Sequence, residues 1–154
     1  MAQLRLVRRM RAISIGAVKF EIPEWLDARD DDGTLVAYPS QTDYANLRVS
    51  VSTIATEDGM PSVGAGERIV RSMAAKEQRE LHAEDGKVWF TYSQRASEGS
   101  PGSTITLWQV GVGAHTVLIS CFIDSAEGDT PTKERVLQTV IPLIQSFRAD
   151  DTSV

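Results

Sequence analysis

One cysteine among 154 residues excludes an intramolecular disulfide framework, and two histidines provide no Cys/His spacing suited to zinc. Cys121 sits inside the apolar run TVLISCFI, where it reads as a small buried hydrophobe and favours a reducing, cytoplasmic setting. No apolar stretch approaches the roughly 18 residues that a membrane span needs, so a soluble protein is expected. The start, MAQLRLVRRMRA, carries Arg5, Arg8, Arg9 and Arg11 but is followed by no apolar segment of about 7 residues, so it fails as a secretory signal; Met10 offers an alternative start. Basic charge is scarce too. Sixteen Lys and Arg against 21 Asp and Glu give a net charge of −5, and without a basic face a nucleic-acid binder is not expected.

What is present describes one ordinary domain. Charged residues are 24% and apolar residues 42%, and a chain of this length buries enough surface for a single core. ISIGAVKFEIP alternates as a strand pair, or as one strand broken at Gly16. TLVAYP and NLRVSVSTIA follow as strands, the second with Leu47, Val49 and Val51 on one face and Arg48, Ser50 and Ser52 on the other. Over residues 62–81 the period becomes helical, with Ile69, Val70, Met73, Ala74 and Leu81 on one side. Gly64 and Gly66 weaken the first turn, so the firm part is expected near Glu67, and EDGK stops the helix. KVWFTYSQ, STITLWQVG and HTVLISCFI are three strands joined by glycine-containing links of hairpin type. A last helix opens with Thr130 as cap and Pro131 in its first turn, and Pro142 should kink it. This order predicts an α+β domain, a mostly antiparallel sheet of about six strands with two main helices packed on it. Residues 1–11 read as a basic extension, 12–148 as the domain and 149–154 as a frayed tail.

FEIPEWLD, the strand NLRVSVSTIA before a long helix, the hairpin TITLWQVGVGAHTVLISCFI and the closing LIQSF resemble the PsbP-like α/β/α sandwich superfamily over residues 12–148. The likeness is one of pattern and element order and includes no catalytic signature. It implies a domain that binds other proteins: the family includes photosystem accessory proteins, a Ran-GTPase-binding protein, and bacterial immunity proteins or effector chaperones of secretion systems, type VI secretion among them. Fold alone does not choose among such partners.

The densest chemical feature is WLDARDDDG, with Asp27, Asp30, Asp31 and Asp32 inside residues 25–33. Read as an EF-hand loop with Gly33 in sixth place, it would put Ala28 in the first ligand position and Pro39 in the twelfth, so two ligands are missing. Solvated charge on a turn is the plainer reading, and no metal site is expected. No nucleophile elbow accompanies His82 or His115; His82 reads as a helix C-terminal charge, and His115 as part of a hairpin turn. GVGAHT and GAGERI each contain G-x-G, but Thr116 and Ile69 hold their sixth positions and neither opens a helix after a strand, so nucleotide binding is disfavoured. Trp89 and Trp108 fall out of phase with Val88, Phe90, Tyr92, Ile105 and Leu107. They lie on the sheet face away from those residues, either in a second packed layer or as an exposed aromatic site for a partner.

The expected function is therefore non-catalytic. It is that of a cytoplasmic immunity protein that binds a basic toxin or effector through Asp27, Asp30, Asp31, Asp32, Trp89 and Trp108, without cofactor or metal. The alternatives are a secretion effector chaperone and a small-molecule carrier with a pocket between sheet and helix, with a metal-dependent hydrolase third.

Overall fold

The computed structural model describes residues 9–40 and 44–150. In chain order these form β1 (Met10–Ile15), β2 (Val18–Pro23), β3 (Leu26–Asp31), β4 (Thr34–Pro39), β5 (Ala45–Thr53), α1 (Ala65–Lys76), β6 (His82–Glu84), β7 (Lys87–Arg95), β8 (Thr104–Val112), β9 (His115–Ile123), α2 (Thr130–Gln138), α3 (Val140–Ser146) and β10 (Arg148–Ala149). A seven-stranded antiparallel sheet runs β3-β4-β5-β9-β8-β7-β6, and a small sheet runs β1-β2-β10. The α+β class is as the sequence implies. The strands outnumber the expected six.

The additional strands come from hairpins with very short turns. Asp32 and Asp85 hold φ of 53° and 51° and are followed by Gly33 and Gly86, also at positive φ. Asp-Gly pairs of this conformation suit two-residue hairpin turns whose twist matches that of the strands. The first turns Leu26–Asp31 back onto Thr34–Pro39; the second turns His82–Glu84 onto β7. Residues 26–31, expected as a charged turn, are therefore an edge strand, and EDGK is a hairpin rather than a helix stop. ISIGAVKFEIP is a strand pair turned at Gly16 and Ala17.

Both faces of the large sheet are used, but unequally. On one face Leu47, Val49, Trp108, Val117, Ile119 and Cys121 join Leu143, Ile144 and Phe147 from α3 and Phe20 and Ile22 from β2 in one continuous core. Phe20 meets Phe147 edge-on at 5.3 Å between ring centroids, which ties the small sheet to α3. On the other face α1 packs mainly on β7, β8 and β9, through Val70 and Ala74 against Val88 and Phe90. The layers are small sheet with α2 and α3, large sheet, and α1.

The C-terminal helix is broken where its proline requires it. Pro142 would clash with the carbonyl four residues earlier, that of Gln138, and α2 ends at that residue, with Thr139 separating it from α3. Asp129 rather than Thr130 is the cap, its carboxylate accepting from the Thr132 amide at 2.8 Å. The domain is wider than 12–148. Met10 and Arg11 belong to β1, Arg11 donates to the Leu26 carbonyl, Ala149 pairs with Val18, and the Asp150 amide donates to the Ala17 carbonyl at 2.8 Å. Of the basic extension and the tail, residues 1–8 and 151–154 lie outside the described residues.

α1 starts at Ala65, earlier than expected, because its glycines serve the packing. A Cβ on Gly66 would lie 2.0 Å from the His115 carbonyl oxygen, and one on Gly111 would lie 2.4 Å from the Gly66 oxygen. The helix start thus rests directly on the β8–β9 hairpin, backbone on backbone, and the Gly66 amide donates to the Gly113 carbonyl at 3.1 Å. Gly66→Ala is expected to lower unfolding stability by at least about 2 kcal/mol, as overpacking against backbone does. Urea unfolding checks this.

Candidate functional site

The six residues expected to bind a partner do not form one surface. On β3, Asp27 and Asp31 share a face with Arg29, Asp30 points to the opposite face, and Asp32 is in the turn. All four are exposed at the free edge of the large sheet. The Asp30 carboxylate accepts from the Gly33 amide at 2.9 Å, a turn bond. Among the described residues no group of His, Cys, Asp or Glu could hold a metal ion. Trp89 and Trp108 are each only 6% exposed and lie in the core beneath the small sheet and α3. The out-of-phase placement agrees with the sequence pattern, and the face is covered by a second packed layer, so neither ring forms an exposed aromatic site. His82 also departs from expectation: it sits on β6, stacked on Trp89 at 5.6 Å, far from a helix end.

The concave feature lies elsewhere, on the half of the sheet that α1 leaves open. A cleft of about 880 Å³ is floored by Arg29 on β3, Val36 and Tyr38 on β4, Asn46 and Arg48 on β5, and Phe122 on β9. Its other walls are residues 98–100 in the β7–β8 loop, Asp124 and Glu127 in the β9–α2 loop, and Tyr44 before β5. None of its lining residues belongs to a helix, so it is not the pocket between sheet and helix envisaged for a carrier. The register places its charges. Arg29 pairs with Val36, Val36 with Arg48, Arg48 with Ser120 and Ser120 with Leu107, so one row carries two guanidinium groups on either side of a valine. Arg29 lies 5.9 Å from the Tyr38 ring centroid, and neither arginine meets a carboxylate among the described residues.

The loop walls are built rather than draped. Asp124 Oδ1 accepts from the amides of Ala126 and Glu127, both at 2.9 Å, and Oδ2 from the Ser100 amide at 3.1 Å. Those bonds, that from Glu127 foremost, hold its carboxyl well below the usual range. Two further bonds join the same two loops, the Ser125 amide donating to Ser103 Oγ at 3.0 Å and the Ser125 hydroxyl to the Pro101 carbonyl at 2.7 Å, while the Ser103 hydroxyl donates to the Ser100 carbonyl within its own loop. At Gly128 the Tyr44 ring packs so close that a Cβ would lie 2.2 Å from it. The backbone there is at φ 81°, so glycine is required twice over.

Outside the cleft the reactive groups are structural. His115 is buried, with Nδ1 at 2.9 Å from Thr53 Oγ1. Lys87 is buried under α3, and its ammonium donates to the Gln145 carbonyl at 2.6 Å; burial, then Arg148, lowers its pKa. Cys121 is fully buried and its thiol is pushed up to about 12 by desolvation. No helix of the described residues is long and apolar enough to cross a membrane.

Comparison with solved structures agrees with this architecture. A crystal structure of a protein from Bacteroides thetaiotaomicron VPI-5482 superposes with a TM-score of 0.61 at 14% identity over 86% of this chain, which spans 45% of that protein. The solution structure of cyanobacterial PsbP, CyanoP, from Synechocystis sp. PCC 6803 gives a TM-score of 0.54 at 15% identity, covering 97% of this chain and 96% of that one. The chain therefore has a PsbP-like α+β fold, and at such identities the likeness concerns fold alone. No protein-family model and no curated protein matches it.

Two outcomes follow from the titrating groups. The Asp124 pKa is depressed on folding, so its stabilisation is complete above the unfolded value of about 3.9 and is lost as pH falls toward the folded one. Asp124→Asn should therefore lower stability at pH 7 and flatten the acid limb below about pH 4, as followed by thermal melts across pH. Cys121 should resist an aromatic disulfide reagent at pH 8 in the native protein and react once urea unfolds it, since on the order of 10⁻⁴ of the buried thiol is thiolate at that pH.

Proposed function

We propose that this protein is a non-catalytic binding domain of the cytoplasm that neutralises a basic protein partner, as an immunity protein does a secreted toxin. The observation that carries the reading is the acidic edge. Asp27, Asp30, Asp31 and Asp32 are exposed along the outermost strand of the large sheet, and among the described residues none forms an ion pair. Charge at a free edge has two physical effects. It keeps the strand from pairing with another chain, and it steers a cationic surface toward this side of the molecule. The buried Trp89 and Trp108 play no part, so the attraction is electrostatic at its outset. An effector chaperone would use the same edge, and the two roles differ in whether the partner is active once released.

The test is a tagged pull-down in lysate of the source organism at low and high salt, followed by association kinetics with the partner it recovers. The triple change Asp30→Lys, Asp31→Lys and Asp32→Lys should slow association by about tenfold or more at low ionic strength, and by much less at high salt. An unchanged on-rate at low salt would remove the acidic edge from the account.

A further inference from the structure

We infer that the cleft on the open half of the sheet is a binding site for a short extended peptide that carries a carboxylate at one end and a cationic group at the other. The cleft is polarised along the strands. At its mid-strand end stand Arg29 and Arg48, two strands apart and hence roughly 10 Å apart at the backbone, close enough for both side chains to reach one carboxylate above Val36. At its loop end stand Glu98 and Glu127, whose carboxylates have no hydrogen bond or ion pair within the described residues. Asp124 does not add to them, because its oxygens are already taken by backbone amides.

Between the charged ends the walls are aromatic and amide. Tyr38 and Phe122 give apolar ring surface, and Asn46, paired with Phe122 in the register, offers both a donor and an acceptor to a peptide backbone. From Arg48 to the level of Tyr44 is four residues of β5, about 13 Å at about 3.3 Å per residue, the length of an extended tetrapeptide. A purely anionic ligand would meet the two free glutamates, and a purely cationic one the two arginines. A zwitterion of that length satisfies both ends. The volume of about 880 Å³ lies within the range of ligand sites. Arg29 lies on the same strand as the acidic edge, but the cleft requires no basic partner.

The test is a titration followed by NMR, using a tetrapeptide of two phenylalanines flanked by alanines with free termini, its N-acetyl form and its C-terminal amide. Saturable shifts should be confined to the amides of Asn46, Arg48, Gly99 and Phe122 and their neighbours. Acetylation and amidation should each weaken binding by about fivefold or more, as loss of a charge-assisted contact does. Arg48→Ala, at an exposed position, should keep a dispersed spectrum and reduce the preference for the free carboxylate over the amide, while still preferring the free amine; Glu127→Gln should reduce the preference for the free amine. Absence of shifts at about 10 mM peptide, equal affinity for capped and free forms, or tighter binding of a simple dicarboxylate would each overturn the inference.

Discussion

Everything distinctive about this molecule depends on the seat of α1. Gly66 rests on the His115 backbone and Gly111 on Gly66, so the helix start is fixed at the β8–β9 turn and the helix runs over β7, β8 and β9. Its 12 residues make a rod of about 18 Å, while seven strands about 4.8 Å apart span roughly 29 Å. One such helix cannot cover the sheet. Because the glycine contact allows no lateral shift, the uncovered part is always β3, β4, β5 and the adjoining side of β9.

The opposite face shows what full cover looks like. There the small sheet, α2 and α3 bury most of the large apolar side chains from β5 to β7, leaving Val51 and Ile123 partly exposed, and the aromatic pair Phe20 and Phe147 closes the layer. The open half has different chemistry because its side chains alternate with that core. Arg48 lies between Leu47 and Val49, both fully buried, and Asn46 lies between Ala45 and Leu47. Burial of one set and solvation of the other is what keeps the register fixed. The cleft is thus the reverse side of the main core, deepened by two loops that Asp124 ties together, one oxygen accepting from the Ser100 amide across the gap and the other from the Ala126 and Glu127 amides of its own loop.

Much of the fold could be read from periodicity. The alternation in NLRVSVSTIA, the helical face through Val70 and Ala74, and the break that Pro142 forces all have local causes, and each is present, whereas Leu81 lies beyond α1, which ends at Lys76. β3 escaped notice because LDARDD offers only Leu26 and Ala28 as inward residues, and its four aspartates read as a charged turn. The Asp32–Gly33 and Asp85–Gly86 dipeptides were the available signal, since each makes a tight hairpin. Trp89 and Trp108 were assigned to the correct face, but what covers that face comes from residues 10–23 and 130–149, and such distant pairing leaves no local trace. The same limit hid the cleft. Arg48 was visible as an outward residue and Arg29 was lost among the aspartates, and only the register of β3, β4 and β5 sets them in one row.

One half of the sheet face that carries α1 is open to solvent while the rest of the large sheet is covered. A soluble paramagnetic agent, with side-chain resonances followed by NMR, tests it most directly. Strong broadening is expected for Arg48, Ser120 and Phe122 and none for Val70, Phe90 and Trp108. Equal protection of both groups would mean that the face over β5 and β9 is covered and that no open cleft exists there.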